Sequence, residues 1–182
     1  MKIVEINVYN YRKGGSEAVY FSTMELLKEH GDEVVNFALK WLENAPSVYE
    51  QYFRESKETR RGILKPVKNI VNYFYDGEAA KKLEALIEAE KPDLAQVHLI
   101  WAQITGSILP VLKRHHIPVI FTIHEYRIVC PAYTFRNGLG EVCEQCQGKH
   151  FYKCVTNKCC KGSYGLSAMM AAEQYFRNAF LN

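Results

Sequence analysis

The stretch Pro118-Val119-Ile120-Phe121-Thr122-Ile123-His124-Glu125-Tyr126 decides how the fold is read. Val119 to Ile123 are all β-branched or aromatic and do not alternate with polar residues, the pattern of a strand buried on both faces of a parallel sheet. The run ends in an imidazole and a carboxylate. In open α/β sheets ligands gather beyond the carboxyl ends of the strands, so His124 and Glu125 are expected to face a site.

Working outward, Lys2 to Val8 reads as a first strand carrying Ile3, Val4, Ile6 and Val8, expected to be central in the sheet. The polar stretch Tyr9-Asn10-Tyr11-Arg12-Lys13 follows, then Gly14-Gly15-Ser16-Glu17, where Ser16 is expected to cap a helix and Glu17 to sit near its positive end. That helix should stop at His30-Gly31. Glu33 to Leu39 reads as a second strand, parallel to the first by the right-handed crossover rule. Asp76 to Glu90 is a helix capped by Asp76, with Ala79, Leu83, Leu86 and Ile87 at helical spacing. Leu94 to His98 is a third strand with a histidine at its carboxyl end, and Ile104 to Arg114 is the helix leading into the opening stretch. Three strand ends therefore deliver Gly14-Gly15, His98 and His124-Glu125 to one edge. The expected fold is a Rossmann-like α/β domain, a parallel sheet with helices on both faces.

The 182 residues, 48% hydrophobic, suit one such domain. A net charge of +3, from 23 basic against 20 acidic residues, is too mild to imply nucleic-acid binding. Glu5 and Asn7 interrupt the apolar N-terminus, so it lacks a signal-peptide core, and no stretch reaches the roughly 20 apolar residues of a membrane span. A cytoplasmic protein is expected. Between Trp41 and Tyr75 aromatics mix with Arg54, Lys57, Arg60, Arg61, Lys65 and Lys68. This segment reads either as a solvated connection or as a basic surface for an anionic membrane or lipid-linked acceptor at the inner face.

Six cysteines in a reducing compartment point to metal or free thiols. Cys143, Cys146, Cys154 and Cys159 fall as C-x2-C-x7-C-x4-C in a loop spanning about residues 127–164, a spacing that suits a structural zinc ion pinning a chain of low apolar content. Disulfides and buried thiols are the alternatives, with Cys130 and Cys160 read as buried thiols. No catalytic metal is expected. Gly165 to Asn182 resumes helical patterning and stops without a cap, as a fragment would.

The Y-R-K-G-G-S-E loop, the D-L-A-Q-V-H strand end, F-T-I-H-E-Y and the following C-P-A-Y resemble the amino-terminal domain of group 1 (family 4) glycosyltransferases of the GT-B architecture. The resemblance runs along nearly the whole chain. It implies a retaining transferase, of hexosyltransferase type, moving a sugar from a nucleotide-sugar to a saccharide or lipid-linked acceptor in polysaccharide or glycolipid synthesis. It also implies Gly14 and Gly15 at the donor diphosphate, where glycine lets amides approach phosphate, and His124 as the catalytic imidazole stabilising charge near the reacting carbon. Asn10, His98 and Glu125 are implied substrate contacts. His98 is alternatively a helix-capping group, and Glu125, where the family often has aspartate, alternatively orients the loop.

The family's second, nucleotide-gripping domain with its E-x7-E pattern has no counterpart here, so the resemblance implies an acceptor-side half inactive as an isolated fragment. Two other readings stand beside it. One is a non-catalytic, zinc-stabilised binding module docking on a membrane or partner; the other is a metal-dependent hydrolase built from His98, His124 and cysteines.

Overall fold

The first apolar run forms the centre of a sheet. In the computed structural model, which describes residues 1–56, 72–101 and 103–179, strand β1 (Lys2–Ile6) pairs in parallel with β2 (Glu33–Phe37) on one side and β5 (Leu94–Val97) on the other, and β6 (Val119–Phe121) adds to β5. The order is β2-β1-β5-β6. Val4, which pairs with both Val35 and Ala95, is fully buried, as are its two partners.

Between β1 and β2 lies helix α1 (Gly15–Glu29), which stops at His30 with Gly31 at φ +92°. Its cap position is Gly14, without a side-chain cap, so the expectation that Ser16 caps it fails. Ser16 lies inside the helix and donates its hydroxyl to Glu17. Helix α2 (Gly77–Glu90) precedes β5 and buries Ala79, Leu83, Leu86 and Ile87. Asp76 caps it, accepting from the Ala79 amide at 3.1 Å, and Lys91 closes it in the left-handed conformation. The expected helix over Ile104 to Arg114 is shorter: a 3-10 turn over Gly106–Ile108, capped by Thr105, and then α3 (Leu109–Arg114).

The chain steps from β1 to β2 in one direction and from β5 to β6 in the other. Right-handed crossovers then put α1 on one face of the sheet and α2 and α3 on the other. The strand order reverses between β1 and β5, and a crevice opens at the carboxyl ends of strands where that happens.

Two expectations are corrected here. The stretch that decided the fold makes an edge strand, not one buried on both faces. Val119, Ile120 and Ile123 are 41%, 51% and 62% exposed, because β6 has a neighbour on one side only in this sheet. Arg54, assigned to a solvated basic face, is fully buried. It sits on β4 (Arg54–Glu55), which pairs in parallel with β3 (Leu39–Lys40), and meets Asp76 at 2.7 Å. Lys57, Arg60, Arg61, Lys65 and Lys68 of that basic segment lie outside the described residues.

The chain divides into two units, Met1–His124 and Glu125–Asn182. The second is built on a short helix α4 (Tyr152–Thr156) packed against α5 (Tyr164–Asn178), which Ser163 caps. Its interior carries paired charges: Arg177 meets Glu173 at 3.3 Å and donates to the Arg127 carbonyl at 2.7 Å. This unit contains the cysteine-bearing loop, tied in part by an antiparallel bridge between Arg136 and Val142.

Candidate functional site

Three elements of the first unit bring ionisable groups to the carboxyl edge of the sheet. Glu5 points inward from β1 and is fully buried. His98 follows β5 and is buried as well. His124 follows β6 and is half-buried. The Glu5 Oε2 lies 2.9 Å from His98 Nε2, and His98 Nδ1 lies 3.0 Å from His124 Nε2. The two imidazoles stack with centroids 5.3 Å apart, and Tyr20 of α1 meets His98 edge-on at 5.4 Å.

Local geometry explains the convergence. Glu5 pairs with Gln96 across β1 and β5, and the chain leaves β5 two residues later, so His98 arrives beside the inward carboxylate. The His98 amide donates to the Ile6 carbonyl and prolongs the ladder by one bond. Val97 pairs with Phe121, which sets the end of β6 alongside.

Burial pushes the Glu5 carboxyl above its ordinary value, opposed by the hydrogen bond and charge of His98. Burial, then the neighbouring His98, holds His124 below the ordinary histidine value, while Glu17 opposes. His124 is therefore a neutral imidazole at neutral pH, with one nitrogen committed to His98 and the other left for a ligand.

The glycine turn reaches the same edge through Glu17. A Cβ built on Gly14 would come 3.6 Å from a Glu17 carboxylate oxygen, and Glu17, buried in the first turn of α1, acts on His124. Gly14 has extended backbone, and a Cβ on Gly15 would meet nothing within 4 Å. The fold thus has no packing need for glycine at 15. What its bareness leaves open is approach to the first amides of a 15-residue helix.

Asn10 is buried with its amide engaged at both ends, donating to the Ala45 carbonyl at 2.8 Å and accepting from Asn36 at 3.0 Å. It borders a cavity of about 380 Å3 that Phe21, Met24, Asn36, Ser47 and Tyr49 also line. Glu125 opens the second unit. It is half-buried, and burial raises its carboxyl against the lowering effect of Arg127 and Arg177.

Among the described residues no group of three or more His, Cys, Asp or Glu side chains is placed to hold a metal ion. The Cys154 thiol lies 3.9 Å from that of Cys160 and also meets that of Cys159. A turn closed by the Cys159 amide on the Cys154 carbonyl returns Cys160, read from the sequence as a bystander, to the first thiol. Burial, reinforced by Cys130, Cys159 and Cys143, pushes the Cys146 thiol up to about 11. The reading of Cys143, Cys146, Cys154 and Cys159 as a closed zinc site is therefore without support among the described residues.

Sequence reasoning missed Glu5 as a site residue. The signal was there: a lone carboxylate in the middle of an otherwise apolar, centrally placed strand needs a partner. It also missed Tyr20 and the inward turn of Glu17, which α1 shows only once its orientation on the sheet is fixed.

No curated protein and no solved structure matches the chain. A family match does, and it runs from Lys13, just ahead of the glycine turn, through His98 and His124 to Leu139. With residues 13–139 matching the family described as Glycosyltransferase Family 4, well over half of its length, the chain belongs to that family.

Proposed function

We propose that this chain is the acceptor-side domain of a retaining glycosyltransferase that moves a hexosyl group from a nucleotide-sugar to a saccharide or lipid-linked acceptor. Its place is polysaccharide or glycolipid synthesis on the cytoplasmic side, with a nucleotide-gripping domain completing the crevice. The observation that carries the reading is the His98–His124 imidazole pair at the strand-order reversal, beside a helix start left bare by Gly15.

In this reading His124 contacts the donor sugar and stabilises charge as the glycosidic bond to the diphosphate breaks. A polar group already fixed beside an oxocarbenium-like centre needs no reorganisation at the moment of reaction. The amides of Gly14 and Gly15 receive the diphosphate. Glu17 shares that helix start, so the diphosphate has to seat on the outer side of the turn, away from the carboxylate. Asn10 borders the acceptor side, and Glu125 contacts acceptor or orients its loop. A lipid-linked acceptor would be met at a membrane surface. In this reading the contact is peripheral; among the described residues no helix is long and apolar enough to cross a membrane.

The test is sugar transfer by the protein together with its nucleotide-binding domain, over a panel of nucleotide-sugars. His124→Ala is expected to lower turnover by about 10²- to 10³-fold, the loss typical of one preorganised polar group, with circular dichroism unchanged. Wild-type turnover by that variant would remove His124 from the reaction.

A further inference from the structure

The chain of hydrogen bonds from Glu5 through His98 to His124 has a direction. Glu5 is fully enclosed, its Oε2 engaged by His98 and its Oε1 without a partner. His98 uses both ring nitrogens, Nε2 toward Glu5 and Nδ1 toward His124 Nε2. Among the described residues no hydrogen bond reaches His124 Nδ1, the ring nitrogen left to meet a ligand. Each link holds one proton, so the donor at one link fixes the donor at the next.

Two arrangements satisfy both links. In the anionic one, Glu5 is a bare carboxylate accepting from His98 Nε2–H, His98 Nδ1 accepts from His124 Nε2–H, and His124 Nδ1 is a lone pair. In the neutral one, the chain holds one more proton, shared on the Glu5–His98 link. His98 then donates from Nδ1 to His124 Nε2, and His124 carries its hydrogen on Nδ1. The first arrangement buries a full negative charge with one of its oxygens unpaired, which is strongly unfavourable. The second buries none.

We propose that Glu5, acting through His98, is a positioning residue that keeps Nδ1–H of His124 outward as a donor to a ligand oxygen, and that loss of the proton on the Glu5–His98 link reverses His124 to an acceptor. The raised carboxyl of Glu5 and the lowered imidazole of His124 agree with a proton held deep in the chain and not on the outer ring. Among the described residues, two titratable groups of α1 also face this chain. Tyr20, edge-on to His98, has its hydroxyl pushed well above its ordinary value by burial and stays protonated. Glu17 adds negative potential at His124 that opposes loss of the proton. At the ends of β1, β5 and β6, Asn7 and Leu99 meet each other through an amide and Gln96 meets Thr122, while Glu125, next in the chain after His124, is half-buried with its carboxyl raised by burial.

The consequence concerns the site just proposed, and for transfer it rests on that reading: the imidazole donates to a sugar hydroxyl or phosphate oxygen, and does not accept a proton from one. The relay itself can be tested without donor or acceptor. Two-bond 15N–1H correlation spectra of the 15N-histidine-labelled chain report the tautomer of each ring across pH. We expect His124 as the Nδ1–H form at neutral pH, and His98 and His124 reversing together at one shared midpoint as pH rises. Glu5→Gln, which has no charge to gain, should abolish that shared transition completely while circular dichroism is preserved.

His124 as the Nε2–H form at neutral pH, or the two rings titrating independently, would overturn the proposal. Retention of the shared transition in Glu5→Gln would do so as well. If that variant does not fold, the wild-type titration decides alone. A shared transition combined with full turnover by His124→Ala would keep the relay and remove the transferase role; the converse result would remove the relay and keep the role.

Discussion

Arg54 and Asp76 make the sharpest test of how this scaffold is held. The guanidinium of Arg54 is fully enclosed, with Nη2 at 2.7 Å from Asp76 Oδ2 and Nη1 donating to the Glu55 carbonyl at 2.6 Å. The other oxygen of Asp76 caps α2 through the Ala79 amide. Among the described residues, Asp76→Ala therefore removes an ion pair and a helix cap together. Stranding a buried guanidinium costs about 3–5 kcal/mol, and loss of the cap adds about 1 kcal/mol. The backbone bonds of residue 76, from its amide to Thr105 Oγ1 and from Ser107 to its carbonyl, survive the change. The total of about 4–6 kcal/mol is a large part of the 5–15 kcal/mol that holds an ordinary domain folded. In urea, at a slope of about 2 kcal/mol per molar, the midpoint should fall by about 2–3 M. The double variant Arg54→Met/Asp76→Ala should recover most of that loss, leaving a deficit of the order of the cap, about 1 kcal/mol, because the Arg54 charge is then no longer stranded. Far-ultraviolet circular dichroism through the urea titration reads both. A single variant within about 1 kcal/mol of wild type, or a double variant as unstable as the single, would refute the account.

Two further outcomes follow from other parts of the chain. The hydrogen bond from the Cys154 thiol, helped by Ser167 and Arg127, brings Cys160 down to about 7 against the opposing effect of burial. Ultraviolet thiolate absorbance should rise as pH passes upward through that value and disappear in Cys160→Ser; a first thiolate appearing only near the ordinary value of about 8.5 would contradict the pairing. On β6, Ile120→Thr should change stability by no more than about 0.5 kcal/mol, since that side chain already faces solvent. A loss of several times that in a urea titration would mean the strand is covered after all.

Much of the first unit was legible because local chemistry and tertiary context agree there. The apolar run of β1, the Asp76 cap and the glycine stop after α1 each have a short-range cause, and each appears where that cause puts it. The errors share another origin. The run Val119 to Ile123 reads as doubly buried because β-branched composition reports strand propensity, while burial depends on how many strands stand beside it. Arg54 reads as exposed because it opens a segment carrying Lys57, Arg60, Arg61, Lys65 and Lys68, yet its partner Asp76 lies 22 positions away and becomes adjacent only when β4 meets the start of α2. The cysteine spacing suggested two pairs around an ion. The turn after Cys154 brings Cys160 back to its thiol as well as Cys159, and spacing cannot tell adjacent residues on a turn apart.

His124 was legible as a site residue through its position beyond a strand, and His98 likewise; what joins them was not. A carboxylate in the central strand of a parallel sheet is a poor choice for stability, since an apolar side chain of similar size would fill the space without desolvating a charge or an imidazole. Glu5 nevertheless sits between Val4 and Ile6, both fully buried, and spends its one hydrogen bond on the histidine that touches His124. Buried polar groups that work against stability and end at a crevice are where perturbed protonation is put to use. The arrangement makes physical sense if the strand is the rigid mount for a proton, held where water cannot exchange it freely, and the imidazole at the sheet edge is the part that meets the ligand.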